Sequence, residues 1–320
     1  MNRRIAGWIA RIAGTAAGVI YVATLVTLDE LGDAISRLPI TAFAVATALV
    51  LINVVASTVR WRFVLAAYGA ARVPAPPRMF RLYLVSFFYN TYLPGAVVGD
   101  VVRGVVTRDA FPGAGATSAV AVVLVERALG LAALFGLVGI GVLWWSDAAR
   151  GAGVDIDALT MWTWIGLGAC AIGVAAIAGA RRLSRVLPGA LGRLAGRLPV
   201  LEHPLPFAAA CTVSIAAQAL IAIAGYALLR GLDPTVDLAS SLLVVPLAAA
   251  TTFLPITVGG AGAREAVFVA LGAEVWGMPR ADALAASLGL FAAHLVVGAI
   301  GGVVQLVAPL SDGSRSSTAS

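Results

Sequence analysis

Hydrophobic residues run along this chain in stretches too long for the helices of a soluble protein, and short charged segments separate them. A bilayer-spanning helix takes about 20 apolar residues. Six stretches meet that requirement: about 7–28, 39–60, 115–145, 159–180, 205–229 and 283–308. Two further apolar regions, about 79–107 and 238–275, are broken in the middle by proline and glycine. Residues 80–92 make only about 20 Å of helix, enough to reach mid-bilayer without crossing. Irregular backbone at that depth is tolerated only inside protein or beside a water-filled cavity. Both regions are therefore expected to be re-entrant helical hairpins.

The two breaks are one phrase written twice, 161 residues apart. The first copy is Leu93-Pro94-Gly95-Ala96-Val97-Val98-Gly99-Asp100-Val101-Val102-Arg103, and the second is Leu254-Pro255-Ile256-Thr257-Val258-Gly259-Gly260-Ala261-Gly262-Ala263-Arg264-Glu265. Both fit L-P-x-x-V-x-G-x-x-x-R. Paired Pro/Gly interruptions at corresponding places in two halves point to the binding site of a transporter.

Loop charge sets the expected orientation. Arg3, Arg4 and Arg11 open the chain, Arg60, Arg62, Arg72, Arg78 and Arg81 surround the elbow Pro74-Ala75-Pro76-Pro77, and Arg181, Arg182, Arg185, Arg193 and Arg197 fill the central loop. The loops between are acidic or nearly neutral: Asp29, Glu30 and Asp33; Asp147, Asp155 and Asp157; Asp233 and Asp237. With basic loops on the cytoplasmic side, both termini lie inside, and the two hairpins enter the membrane from opposite faces. The expected fold is an all-α integral membrane protein of about six full transmembrane helices plus two re-entrant hairpins in an inverted repeat. It forms one polytopic domain over 1–310, with a first half to about 180, a basic linker 181–203 and a second half from about 204. The linker carries an amphipathic, interfacial pattern through Leu187, Leu191, Leu194 and Leu198. Residues 311–320 read as a disordered polar tail. The basic start and the apolar run after it lack a convincing cleavage site, so an uncleaved first span is expected.

Composition agrees: 60% of the 320 residues are hydrophobic and 12% charged, with mean hydropathy +0.96. A soluble domain carries about a quarter charged residues. All 22 basic residues are arginine, which excludes lysine-based covalent chemistry. Cys170 and Cys211 give neither metal spacing nor a disulfide framework. His203 and His294 have no ligand at the spacing of a helical turn, so no metal and no cofactor is expected. The net charge of +6 sits in loops beside apolar segments, which favours anionic lipid headgroups over nucleic acid as partner.

Charges at membrane depth are costly and functional by default. Asp100 and Arg103 stand one turn apart on the half-helix after Gly99, and Arg264 and Glu265 open the matching half-helix after Gly260 and Gly262. A helix N-terminus favours an anion, and a guanidinium adds a two-pronged grip suited to phosphate. Structural ion pairing within Asp100–Arg103 and Arg264–Glu265 is the competing account. Glu126 and Arg127 lie near the middle of the 115–145 span. They either pair with the hairpin charges or serve the fold alone. Asn90, Thr91, Thr251, Thr252 and Thr257 are expected to satisfy carbonyls freed near Pro94 and Pro255. Gln218 and His294 are expected to make hydrogen bonds between helices, and Trp144, Trp145, Trp162 and Trp164 to form an interfacial belt. There is no nucleotide-binding G-x-x-x-x-G-K-[ST].

Three segments together resemble a known family. Ser86-Phe87-Phe88-Tyr89-Asn90-Thr91-Tyr92-Leu93-Pro94-Gly95 with Gly99-Asp100 and Arg103, then Val123-Leu124-Val125-Glu126-Arg127-Ala128-Leu129-Gly130-Leu131, then 255–265 with Pro255, Gly259, Gly260, Gly262, Arg264 and Glu265, are similar to the hallmarks of the lysylphosphatidylglycerol synthase transmembrane, or flippase-like, family. Many members have a glycine pair before the acidic residue, where this chain has Val98-Gly99. The resemblance is to stand-alone members without the synthase domain. It implies a bacterial plasma-membrane protein that binds or moves a lipid with an anionic headgroup, possible association with a lipid-modifying enzyme, and no catalysis of its own. Two alternatives stand beside it. One is a membrane enzyme of polyprenyl-linked sugar or phospholipid metabolism, for which Asp155 and Asp157 form the only D-x-D. The other is a non-transporting partner of a lipid enzyme.

Overall fold

The computed structural model describes residues 3–93, 98–112, 115–151, 155–184, 188–253 and 260–308. The expected tail at 311–320 and Leu187 of the linker lie outside them. Among the described residues twelve α-helices follow in order: α1 (Arg3–Ala23), α2 (Leu28–Arg37), α3 (Ile40–Ala67), α4 (Pro76–Tyr92), α5 (Val98–Val106), α6 (Gly115–Gly151), α7 (Ile156–Leu183), α8 (Gly189–Gly196), α9 (Pro204–Leu232), α10 (Leu238–Ala250), α11 (Ala263–Trp276) and α12 (Arg280–Val307). Short 3-10 turns follow α5 at Arg108–Ala110 and α10 at Thr251–Phe253. There is no strand among the described residues. Helices α3, α6, α7, α9 and α12 are long and apolar enough to cross a bilayer. The chain is an all-α integral membrane protein.

The start of the chain departs from the expected single span over 7–28. Helix α1 ends at Ala23, and the chain turns by 82° into α2, so Asp29, Glu30 and Asp33 lie on a helix and not in a loop. The cause is local. Thr27 and Glu30 form a capping box, with the Thr27 amide donating to Glu30 Oε2 at 2.8 Å, and such reciprocal bonds satisfy two free donors at a helix start. The linker contains the short helix α8. Helix α3 continues to Ala67, past the expected end at 60.

Both interrupted regions fold back on themselves. Pro76 and Pro77 occupy the first turn of α4, where a missing N–H costs nothing. Below α4, the Ala71 amide donates to the Ala110 carbonyl at 2.9 Å, so the chain leaves the first hairpin where it entered. In the second hairpin, Trp276 Nε1 at the end of α11 donates to Ser240 Oγ at the start of α10, at 2.7 Å. The first base shares a face with the end of α3 and the start of α9, where the Glu202 and His203 amides donate to the Ala67 carbonyl at 2.9 and 3.0 Å. The second base shares the opposite face with the start of α12, where Asp282 pairs with Arg37 at 2.6 Å. Three spans, α3, α6 and α7, separate the start of α3 from the start of α9, so the halves run in opposite senses.

Packing repeats the same exchange. Helix α6 lies along α10 as α12 lies along α4; α5 rests on α6 as α11 rests on α12; α3 and α9 pair along their length. Glycines permit the two cross-contacts. A Cβ on Gly141 would stand 2.8 Å from the Leu243 amide nitrogen of α10, and one on Gly302, 161 positions later, 2.9 Å from the Phe88 ring of α4. Close backbone approach through small residues is how helices associate where lipid tails remove the hydrophobic drive.

Candidate functional site

Between the two hairpin tips lies a cavity of about 490 Å³. Its wall takes Asn53, Ser57 and Arg60 from α3, Tyr83, Ser86 and Asn90 from α4, Asp100 and Arg103 from α5, Glu126 and Arg127 from α6, Thr252 and Phe253 after α10, Arg264 from α11, and Phe291 and His294 from α12. Both halves contribute, and so do both breaks.

The ionic groups of the first half form one chain. Glu126 Oε1 accepts from Arg60 Nε at 3.2 Å and Nη2 at 2.9 Å, and from the Tyr83 hydroxyl at 3.1 Å. Glu126 Oε2 lies 2.6 Å from Arg103 Nη2. Arg103 also reaches Asp100 Oδ1 at 3.2 Å, and Asp100 Oδ2 pairs with Arg127 Nε. Asn90 of α4 ties down the start of α5, donating to Asp100 Oδ1 at 3.1 Å and accepting the Gly99 amide at 2.9 Å. The Arg103 guanidinium lies in the corner of two tilted rings, 4.6 Å from the Trp61 ring centre and 4.3 Å from that of Tyr83. Of its side chain 2% is exposed, against 27% for Arg127. A buried charge persists at low dielectric only with such partners.

The second half is built differently. Gly260 and Gly262 both have φ +82°, a left-handed conformation that only glycine adopts without strain. Glu265 turns back to accept the Gly262 amide at 2.7 Å, pairs through its other oxygen with Arg264, and lies 3.5 Å from Ser287 Oγ. Arg264 stands 4.9 Å over the Phe291 ring. The positions 161 beyond Arg60, Asp100 and Glu126 are Ile221, Ala261 and Ser287. The repeat has kept its second arginine and lost the other charges of the first.

Six of the residues assigned to binding from sequence line the cavity, Asn90, Asp100, Arg103, Glu126, Arg127 and Arg264, and so do Thr91, Gln218, Thr252 and His294, read there as structural. Gly99 is packed behind it against Ser86, and Gly260, Gly262 and Glu265 shape and cap the second tip. Pro94, Pro255 and Gly259 lie outside the described residues, as does Thr257. Residues 8–302 match the family described as Lysylphosphatidylglycerol synthase TM region. The chain belongs to this family. No curated protein matches it.

Some features of this member of the lysylphosphatidylglycerol synthase TM-region family are not those expected from its sequence. Arg60, counted there among the loop charges, is buried and holds Glu126. One N–H at each half-helix N-terminus is already taken, the Gly99 amide by Asn90 and the Gly262 amide by Glu265. His294 Nδ1 bonds the Leu290 carbonyl of its own helix at 2.7 Å, not another helix, and its ring stacks on Phe87. Thr251 and Thr252, by contrast, do what was expected and each donate to a carbonyl at the end of α10, at 2.7 Å. Asp155 of the D-x-D caps α7 through the Ala158 amide at 2.9 Å. Neither Tyr83 nor Trp61 carried a signal in sequence, because an aromatic side chain in an apolar helix reads as core.

Proposed function

We propose that this protein is a non-enzymatic, flippase-like lipid transporter whose cavity takes the phosphate of a lipid headgroup while the acyl chains stay in the bilayer. One observation carries the reading: the cavity wall holds four guanidiniums, those of Arg60, Arg103, Arg127 and Arg264, against the two carboxylates of Asp100 and Glu126. An excess of arginine in a low-dielectric site favours an anion, and its planar fork matches phosphate. The same wall includes Tyr92, Leu93 and Phe291, which are exposed apolar residues at the first hairpin tip and on α12. An apolar rim at the depth of a hairpin tip suits a ligand with hydrocarbon tails better than one from water.

The inverted halves supply the two access states. Arg264 sits on the second hairpin, the other three guanidiniums on the first half, so rocking one hairpin against the other opens the site to each leaflet in turn. The arginine-rich face, with Arg78, Arg193 and Arg197, is the cytoplasmic side of a bacterial plasma membrane in this reading. The start of α1 and the end of α12 then both lie inside. The partner is an anionic lipid, supplied or consumed by a lipid-modifying enzyme.

Reconstitution tests this. Vesicles containing a fluorescent phospholipid should show faster movement between leaflets with the wild-type protein than with Arg264→Gln. Equal rates for wild type, variant and protein-free vesicles would refute transport through this cavity.

A further inference from the structure

The carboxylates of the cavity are already committed to arginines. Both oxygens of Asp100 are engaged, Oδ1 by Asn90 and Arg103 and Oδ2 by Arg127. Glu126 Oε1 is engaged by Arg60 and Tyr83, while Oε2 lies in an ion pair 2.6 Å from Arg103 Nη2 but is buried without a hydrogen bond. Glu265, next to Arg264, is spent on that guanidinium and on the Gly262 amide. An ammonium group entering here meets Asp100, Glu126 and Glu265 already ion-paired with arginines.

Among the aromatic rings of the wall, the other common seat of an ammonium, Tyr83, Phe87 and Phe291 are already occupied, which leaves Tyr92 and Phe253. Arg103 lies over Trp61 and Tyr83, Arg264 over Phe291, and Phe87 is stacked on the His294 ring at 5.9 Å. Donors, by contrast, are in surplus. Arg60 Nη1 and Arg103 Nε and Nη1 are buried without an acceptor. Counting Glu265 with the wall, four guanidiniums face three carboxylates, which leaves one positive charge for the ligand to balance.

We infer that the headgroup taken here is a phosphate ester of net negative charge bearing no ammonium, with a hydroxyl-bearing or unsubstituted phosphate, and that zwitterionic and aminoacylated headgroups are disfavoured. This rests on the reading above that the cavity binds a lipid headgroup. A site of one sign rejects an ammonium because burial strips its hydration and offers no counter-charge in return.

The test is binding to the purified full chain in detergent. The probes are dioctanoyl phosphatidylglycerol, dioctanoyl phosphatidylethanolamine, a lysyl ester of dioctanoyl phosphatidylglycerol and water-soluble glycerol 3-phosphate. The expected order puts phosphatidylglycerol at least about tenfold ahead of either amine-bearing lipid, the step that one hydrogen bond to a charged group commands. Arg127→Gln, which releases Asp100 Oδ2 and cancels the surplus charge, should narrow that preference by about tenfold. Amine-bearing lipids binding as tightly as phosphatidylglycerol, and losing affinity in Arg264→Gln, would overturn the inference and leave the lipid reading standing. An unchanged preference in Arg127→Gln would also overturn it. Binding of no lipid would instead overturn the lipid reading. Glycerol 3-phosphate binding as well as phosphatidylglycerol, with the amine-bearing lipids weak, would uphold the selection against ammonium and refute the lipid source.

Discussion

Arg103 Nη2 lies 2.6 Å from Glu126 Oε2 where α5 meets α6, and neither side chain is more than 2% exposed. Glu126 holds Arg60 of α3 through its other oxygen, so one carboxylate joins three elements of the first half. The return limb of a re-entrant hairpin is short: α5 has 9 residues, too few for a helix to be stable alone. Its position is therefore fixed by side chains, Arg103 with Glu126 and Asp100 with Arg127. The charge cluster thus serves the fold and the cavity at once.

Glu126→Gln should be strongly destabilising. It leaves the Arg60 and Arg103 guanidiniums side by side in the interior with one neutral acceptor between them. Removing one partner of a buried ion pair costs about 3–5 kcal/mol. The melting temperature of the purified protein in detergent should fall well below wild type, with lower yield from membranes; an unchanged melting temperature would contradict the role given to Glu126.

Arg60→Lys tests whether geometry matters as well as charge. Arg60 places Nε and Nη2 on the same Glu126 oxygen and a third contact, 3.3 Å, on the Tyr83 hydroxyl. A lysine ammonium is a compact point charge without that fork. Loss of one such bond is worth about 1.5–3 kcal/mol, so stability should fall less than in Glu126→Gln. A lysine variant as stable as wild type would mean that Arg60 contributes charge alone.

Much of this architecture is legible in the sequence because a bilayer imposes lengths. The span expected at 205–229 is α9, Pro204–Leu232, and that at 283–308 is α12, Arg280–Val307. The hairpins show themselves through the duplicated break. What sequence hid was the depth of individual charges. Arg60 looks like the end of a span because hydropathy falls there, yet the helix runs seven residues further, to Ala67. Asp29 and Glu30 look like loop because acidic residues cluster, whereas they begin a capped helix. Asp100 and Glu265 look equivalent, each beside a motif arginine. Only three dimensions show one bridging two guanidiniums and the other capping its own helix.

Labelling of single cysteines should map the two hairpins to opposite faces, with Cys170 and Cys211 first replaced by alanine. Arg78 and Asp109 flank the first hairpin, Thr235 and Glu274 the second, and all four are exposed. Cysteines at Arg78 and Asp109 should react with a membrane-impermeant maleimide from one side, and those at Thr235 and Glu274 only from the other. Reaction of Arg78→Cys and Asp109→Cys from different sides would show that α4 and α5 cross the membrane.

Gly99→Ala should be among the most damaging small substitutions. A Cβ there would stand 2.7 Å from the Ser86 carbonyl carbon and 2.8 Å from its Cα, with the carbonyl oxygen closer still. These are backbone atoms, so no side-chain rotation relieves the clash, and α5 must move away from α4. That motion drags Asp100 off Asn90 and Arg103 off Glu126. Overpacking typically costs about 1–3 kcal/mol, and here the ion pairs are lost as well. Gly136→Ala on α6 is the matched control, since a Cβ there meets nothing within 4 Å. Alanine is favoured over glycine in a helix interior by about 1 kcal/mol, so this variant should melt at or above the wild-type temperature and keep its lipid movement. If Gly99→Ala behaved like Gly136→Ala, the close contact of α5 with α4 could not be what sets the position of Asp100 and Arg103.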